Sequence, residues 1–172
     1  MTNWMFFPQN SNMPKHLYDI IEVFNKHESL IDSDVFNNEN NQESNVVLEI
    51  LRPNLEKAGY LVEKSKKKED KIRVPVLFGR NGTVELAFEV DAFSEKNKTV
   101  IEVEAGRAVV NYQFLKDYYE ACMMQDIKYF VVAVKNIYKN KKDFDKVCDF
   151  FKTLYISNKV STQLDGILVI GY

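Results

Sequence analysis

The sequence predicts an α/β domain built on a mixed β-sheet flanked by helices, and three observations predict it. Residues 84 to 104 alternate apolar and acidic side chains in two runs split by a polar turn, the pattern of an antiparallel hairpin. Residues 128 to 134 carry Tyr-Phe-Val-Val-Ala-Val with almost no alternation, as a parallel strand covered on both faces does. Residues 14 to 27 and 141 to 156 repeat apolar side chains at helical spacing.

Composition sets the outer bounds. A chain of 172 residues with 45% hydrophobic and 28% charged residues is expected to form one soluble domain with a real core. No apolar run approaches the roughly 18 residues of a membrane span. The first ten residues lack the basic stretch and long apolar core of a signal peptide, so a cytoplasmic location is expected. Cys122 and Cys148 both fall in expected helices and read as free thiols. A net charge of −2 argues against a strongly basic nucleic-acid coat. A local patch or a bound metal can still supply the positive field. Lys64 to Lys68, followed by Lys71 and Arg73, forms such a patch, although a run of this kind is ordinarily a solvated loop.

The elements follow in chain order. Residues 1 to 13 read as irregular, with Trp4, Phe6 and Phe7 packed onto the body. Pro14 suits a first helical turn, and Leu17, Ile20, Ile21 and Phe24 line one face of a helix over 14 to 27. His16 and His27 have no second ligand at metal spacing and read as surface or capping residues. Residues 31 to 44 form a polar, asparagine-rich segment expected to be a mobile loop. Ser44 or Asn45 should cap a second helix that carries Pro53 inside and ends at Gly59. Residues 60 to 63 and 72 to 78 read as strands, the latter pushed to an edge or a bulge by Pro75. The Asn81-Gly82 pair marks the next turn, so three antiparallel strands should form a meander. A helix over 108 to 124, a strand to Val134, a helix over 141 to 156 and a strand over 166 to 170 complete the chain.

The hairpin carries an electrostatic puzzle. A two-residue turn centred between Lys96 and Asn97 places Asp91 opposite Glu102 and Glu89 opposite Glu104. Val84, Leu86, Phe88 and Val90 then share a buried face with Ile101 and Val103, and the acids share the other. Like charges directly opposite are destabilising. A hard divalent cation such as Mg²⁺ or Mn²⁺ would answer that repulsion, because it takes oxygen ligands. A solvent-facing acidic strand side is the plain alternative.

The order of a helix, a meander bearing an Asp, a Glu-x-Glu strand, a helix and a strand resembles the PD-(D/E)XK nuclease superfamily, the restriction-endonuclease-like fold. The resemblance covers residues 45 to about 134. Val90-Asp91 matches the first half motif, ten residues intervene, and Glu102-Val103-Glu104 matches the second. Glu104 stands where the family usually has lysine, as in some type II restriction endonucleases that resemble this chain and are active. The resemblance implies a metal-dependent endonuclease acting on DNA. Asp91, Glu102 and the Val103 carbonyl would hold Mg²⁺ or Mn²⁺, with Glu49 of the preceding helix helping. Glu104 would orient or deprotonate the attacking water, or hold a second ion. Arg107 and Asn111 lie four apart at the expected start of a helix and would bind phosphate oxygens. Lys116 is a candidate for a relocated lysine. Glu89 reads as a solvated neighbour. DNA is the expected partner, no membrane partner is expected, and a C₂ homodimer is the economical assembly for cutting both strands of a symmetric site. Two other readings stay open: a catalytically inactive member of the fold acting as a nucleic-acid-binding or assembly protein, and a different enzyme using an acid pair.

Overall fold

The computed structural model describes residues 2–33 and 42–172. Most of the segment expected to be a mobile loop, residues 31 to 44, lies outside the described residues. The chain runs β1 (Asn3–Phe7), α1 (Lys15–Ile31), α2 (Ser44–Lys57), β2 (Leu61–Val62), β3 (Ile72–Phe78), β4 (Val84–Val90), β5 (Ala92–Ser94) and β6 (Thr99–Glu104). It continues through α3 (Gln113–Met123), β7 (Tyr129–Val134), β8 (Ile137–Tyr138), β9 (Lys141–Lys142), α4 (Asp143–Ser157) and β10 (Gly166–Gly171). Six strands form one mixed sheet in the order β1-β10-β7-β6-β5-β2. β7 pairs in parallel with both β6 and β10, while β1, β5 and β2 pair antiparallel with their neighbours. This is the expected α/β class. No helix among the described residues is long and apolar enough to cross a membrane.

Each face of the sheet has its own core. Leu17, Ile20 and Phe24 of α1 and Leu51 and Leu55 of α2 pack with Ile101, Val103, Val131 and Leu168 on one side. Phe114 and Tyr118 of α3 and Val147 and Phe151 of α4 pack with Val100, Phe130, Val132 and Val169 on the other. The apolar character of β7 follows directly, because its residues alternate between two cores and all from Phe130 to Val134 are buried. α2 passes through Pro53 and ends as expected. Gly59 lies at φ +89°, and the Tyr60 amide reaches back to the Leu55 carbonyl at 3.1 Å. Both cysteines are free.

Several expectations need correction. Residues 3 to 7 are an edge strand and not irregular; Phe6 and Phe7 are buried beneath the antiparallel pairing to β10. The position preceding α2 is Glu43, and no side chain caps that end. The meander is broken. β3 and β4 form a separate ribbon, with the register shift at Pro75 that proline's missing amide demands, and of the expected meander only the short β5 pairs with β6. The β5–β6 register keeps the expected offset, with Ala92 opposite Ile101, but Glu95–Lys98 make a four-residue turn in which Lys98 takes positive φ. Because β4 belongs to the ribbon and the chain joins the sheet only as β5, Glu89 pairs opposite Arg73 and not opposite Glu104. The outer half of the ribbon buries no face: Leu77, Phe78, Val84 and Leu86 are all exposed. The helix expected from 108 begins only at Gln113, because Asn111 and Tyr112 both hold positive φ and cannot propagate an α-helix.

Phe151 meets Phe7, Phe114, Tyr118 and Phe150 in one aromatic cluster, and it is fully buried. Phe151→Ala should therefore cost about 3–5 kcal/mol, read as a lowered urea midpoint with an unchanged slope. A loss below about 1 kcal/mol would mean that the α3–α4 layer does not pack as described.

Candidate active site

The site begins with strand alternation. Along β6, Ile101 and Val103 enter the core under α1 and α2, so Val100, Glu102 and Glu104 point to the α3 side. There α3 packs beside the sheet, and the two acids are half-buried against a helix at the wall of a cleft. β4 ends at Val90, and the chain bends at Asp91 before β5 starts. The Asp91 carboxylate occupies the place of a ladder partner: Oδ2 accepts the Val103 amide at 2.8 Å. The Asp91 carbonyl accepts the Glu63 amide, also at 2.8 Å. The first contact holds Asp91 against the strand that carries Glu102 and Glu104, and the second ties it to the end of β2.

From the other side α3 contributes Asp117. Its Oδ1 accepts Gln113 Nε2 at 2.9 Å, while the buried Oδ2 has no hydrogen-bond partner among the described residues. These groups line a cleft of about 200 Å³ together with Ser44, Val90, Val103 and two ion-paired lysines. Lys71 holds Glu63 at 2.9 Å and Glu89 at 3.7 Å, and Lys116 holds Glu120 at 3.0 Å. Arg73 pairs with Glu89 at 3.0 Å. A second, larger groove of about 470 Å³ shares Ser44 and Glu104 with the cleft and adds Lys66, Arg107 and Tyr138.

Burial dominates the electrostatics. It pushes the carboxyls of Asp91 and Glu104 up to about 7, with neighbouring acids adding to it. The Val103 amide works against the rise at Asp91, and Arg107 and Lys116 work against it at Glu104. Burial raises Asp117 to about 6 against the Gln113 hydrogen bond. Glu102 is raised well above its ordinary value, by burial first and then by Asp91, Asp117 and Glu104. Such a cluster costs the folded chain stability at neutral pH, and groups perturbed in this way concentrate at functional sites.

The structure brings Asp91, Glu102, Val103, Glu104 and Lys116 together in the cleft. It does not bring Glu49, which faces outward from α2 because Val47, Leu48 and Leu51 hold the inner face; Ser44 of that helix lines the cleft instead. Arg107 and Asn111 do not share a helical face, since both precede α3. Arg107 lines the adjoining groove, and Asn111 is exposed. Asp117, Glu63, Gln113 and Glu120 are additional to the sequence reading. One signal for Asp117 was legible: Phe114, Asp117, Tyr118 and Ala121 follow i, i+3, i+4, i+7, and an acid inside an apolar stripe is anomalous. Glu63 gave no comparable signal.

Among the described residues, no three His, Cys, Asp or Glu side chains already converge as a ligand set. The all-oxygen donors and the orphaned Asp117 Oδ2 nevertheless fit a hard divalent ion. Such an ion keeps several waters and needs only one or two carboxylates. No family model matches the chain, and no curated protein matches it in sequence.

The pH dependence of stability follows from the raised carboxyls. With values of about 6 to 7 in the fold and near 4 in the unfolded chain, the folded state holds protons that the unfolded state has lost. Their contribution is complete below about pH 4 and is lost as pH rises through 7. His16, lowered by burial from its ordinary value of 6.5, acts oppositely, one group against three. In chelator the melting temperature should fall between pH 5 and 8, and Asp117→Asn should flatten that slope; a rise across the range would contradict the placement of these acids.

Proposed function

We propose that the chain is a metal-dependent phosphodiesterase acting on nucleic acid, with DNA as the substrate, in the manner of a restriction-endonuclease-like enzyme. The observation that carries this reading is the bond from the Val103 amide to Asp91, which holds Asp91 beside Glu102 and Glu104 in one cleft. Asp91 and Glu102 would hold Mg²⁺ or Mn²⁺, with the Val103 carbonyl beside them. A divalent ion there supplies charge to the phosphoryl group and lowers the pKa of water.

The remaining roles belong to the protein. Glu104, with its carboxyl near 7, is poised to accept a proton from an attacking water at neutral pH. Lys71, paired with Glu63 and Glu89, and Lys116, paired with Glu120, keep two cationic groups at the cleft wall. The adjoining groove gives a substrate strand a place to lie, with Lys66 and Arg107 for phosphate oxygens and the Tyr138 ring for a base. Asn111 is exposed and lines neither the cleft nor the groove.

The competing reading is a non-catalytic binding or assembly protein on the same fold. The exposed apolar end of the β3–β4 ribbon, Leu77, Phe78, Val84 and Leu86, favours it, since such a strip suits a protein partner or a second copy. Purified protein should nick or linearise plasmid DNA with Mg²⁺ or Mn²⁺ and lose that activity in chelator. Asp91→Ala and Glu102→Ala should each lower the rate by at least about a hundredfold. Cleavage that survives both changes removes this cleft as the active site, and absence of any cleavage by the wild type leaves the binding-protein reading.

A further inference from the structure

We propose that the β8–β9 hairpin reads duplex DNA, with Lys139 and Lys141 on phosphates and Asn140 against a base edge. This rests on the nucleic-acid reading above and assigns recognition to residues outside the cleft.

The sequence concentrates positive charge here. Residues 135 to 142 hold four lysines and no acid, in a chain whose net charge is −2. A lysine run is ordinarily a solvated loop, but this one has a built conformation. β8 and β9 pair Ile137 with Lys142 and Tyr138 with Lys141, which leaves Lys139 and Asn140 as a two-residue turn. Both turn residues hold positive φ, +46° and +62°, as the tight turn of a twisted hairpin requires. The base is fixed on both sides. Before β8 the Asn136 amide donates to the Tyr172 carbonyl at 2.8 Å, and after β9 Asp143 is buried at the start of α4. Lys139, Asn140, Lys141 and Lys142 are all exposed. Lys142 pairs with Asp145 at 3.8 Å, whereas no carboxylate among the described residues forms an ion pair with Lys139 or Lys141. Buried Asp143 interacts with Lys141 only at longer range.

Tyr138 joins this hairpin to the site. Its ring occupies the space that a side chain at Gly106 would need, so it lies against the chain just beyond Glu104. It lines the groove of about 470 Å³ together with Glu104, Arg107 and Lys66, the last from a separate lysine run. Residues directly opposite in an antiparallel pair share a face, so Lys141 stands on the Tyr138 side. The Lys139 amino group lies 5.3 Å from the centre of the same ring. Two exposed cations therefore flank the ring that hairpin and groove share. A polyanion approaching an acidic cleft needs positive charge beside it, and the hairpin supplies that charge.

The shape of the hairpin selects the form of nucleic acid. A two-stranded β-ribbon fits the major groove of a duplex, about 12 Å wide, where each base pair shows a distinct pattern of donors and acceptors. Asn140 is exposed at the turn, and an Asn amide can bond adenine through two hydrogen bonds. The lysines on either side of it suit the phosphates that border the groove.

The test is fluorescence anisotropy of a labelled duplex with the full chain in Ca²⁺, the duplex being checked on a gel for integrity. Lys139→Asn combined with Lys141→Gln removes both charges, and Asn tolerates the positive φ at 139. This double variant should melt with the wild type, bind duplex roughly tenfold more weakly, and reduce the slope of log K against log salt by about two. Lys159→Gln, beyond the end of α4, should change neither affinity nor slope. Asn140→Gly keeps the turn. It should retain the salt slope and flatten the base preference among duplexes selected from a randomised pool. Unchanged affinity and slope in the double variant would overturn the hairpin's role, and cleavage that Asp91→Ala still abolishes would leave the nuclease reading standing. An equal loss in Lys159→Gln, an unchanged base preference in Asn140→Gly, or a wild type that binds single strands and not duplex would overturn the proposal as well. Duplex binding that depends on the hairpin, with no cleavage in Mg²⁺ or Mn²⁺, would uphold it and remove the nuclease reading.

Discussion

The hydrogen bond from the Val103 amide to the Asp91 carboxylate sets the rest of the site in place. At Asp91 the chain stops running with β3 and turns into the main sheet as β5. A strand that departs leaves its neighbour's backbone amide unpaired, and a buried unpaired amide is costly. The Asp91 side chain meets that need, so one residue both closes the gap in the ladder and brings a carboxylate against β6. The bend and the acid are one feature, and β6 then presents Glu102 and Glu104 on the side that α3 covers.

That coverage places stability and chemistry in opposition. Carboxylates between a sheet and a helix lose water, and the four here also repel one another. An apolar core in the same place would stabilise the domain, as the Val100, Phe130 and Val132 layer beside it does. The flanking lysines, Lys71 and Lys116, pair closely with the outer acids Glu63, Glu89 and Glu120 and offset the central ones only in part. The central four keep carboxyls raised by burial and by one another, and it is on them that the proposed cation site rests.

The class of fold was legible because periodicity reports burial. The unbroken apolar run at 129 to 134 meant two covered faces, and β7 lies between two cores. The hairpin offset was legible too, since a slip by one residue would have turned Ile101 and Val103 out of the α1–α2 core. Periodicity does not say which partner a strand takes. β4 alternates as well as any strand in the chain, yet it pairs only with β3, and its outer apolar residues stay in water. Nor does the helical repeat through residues 108 to 112 show that Asn111 and Tyr112 adopt positive φ, which moved Arg107 off the face expected for it.

The motif acids followed from the sequence alone: Asp91, Glu102 and Glu104 on two adjoining strands, at an offset that local alternation determines. Tertiary structure decided what surrounds them. Asp117 and Gln113 reach the cleft because α3 packs over β6, Glu63 and Lys71 because β2 and the start of β3 lie beside Asp91. Glu49 fails to reach it because the apolar face of α2 turns the other way. The physical reason is the range of each interaction. Alternation and turn chemistry act over a few residues, whereas convergence on one cleft depends on how separate elements share a core.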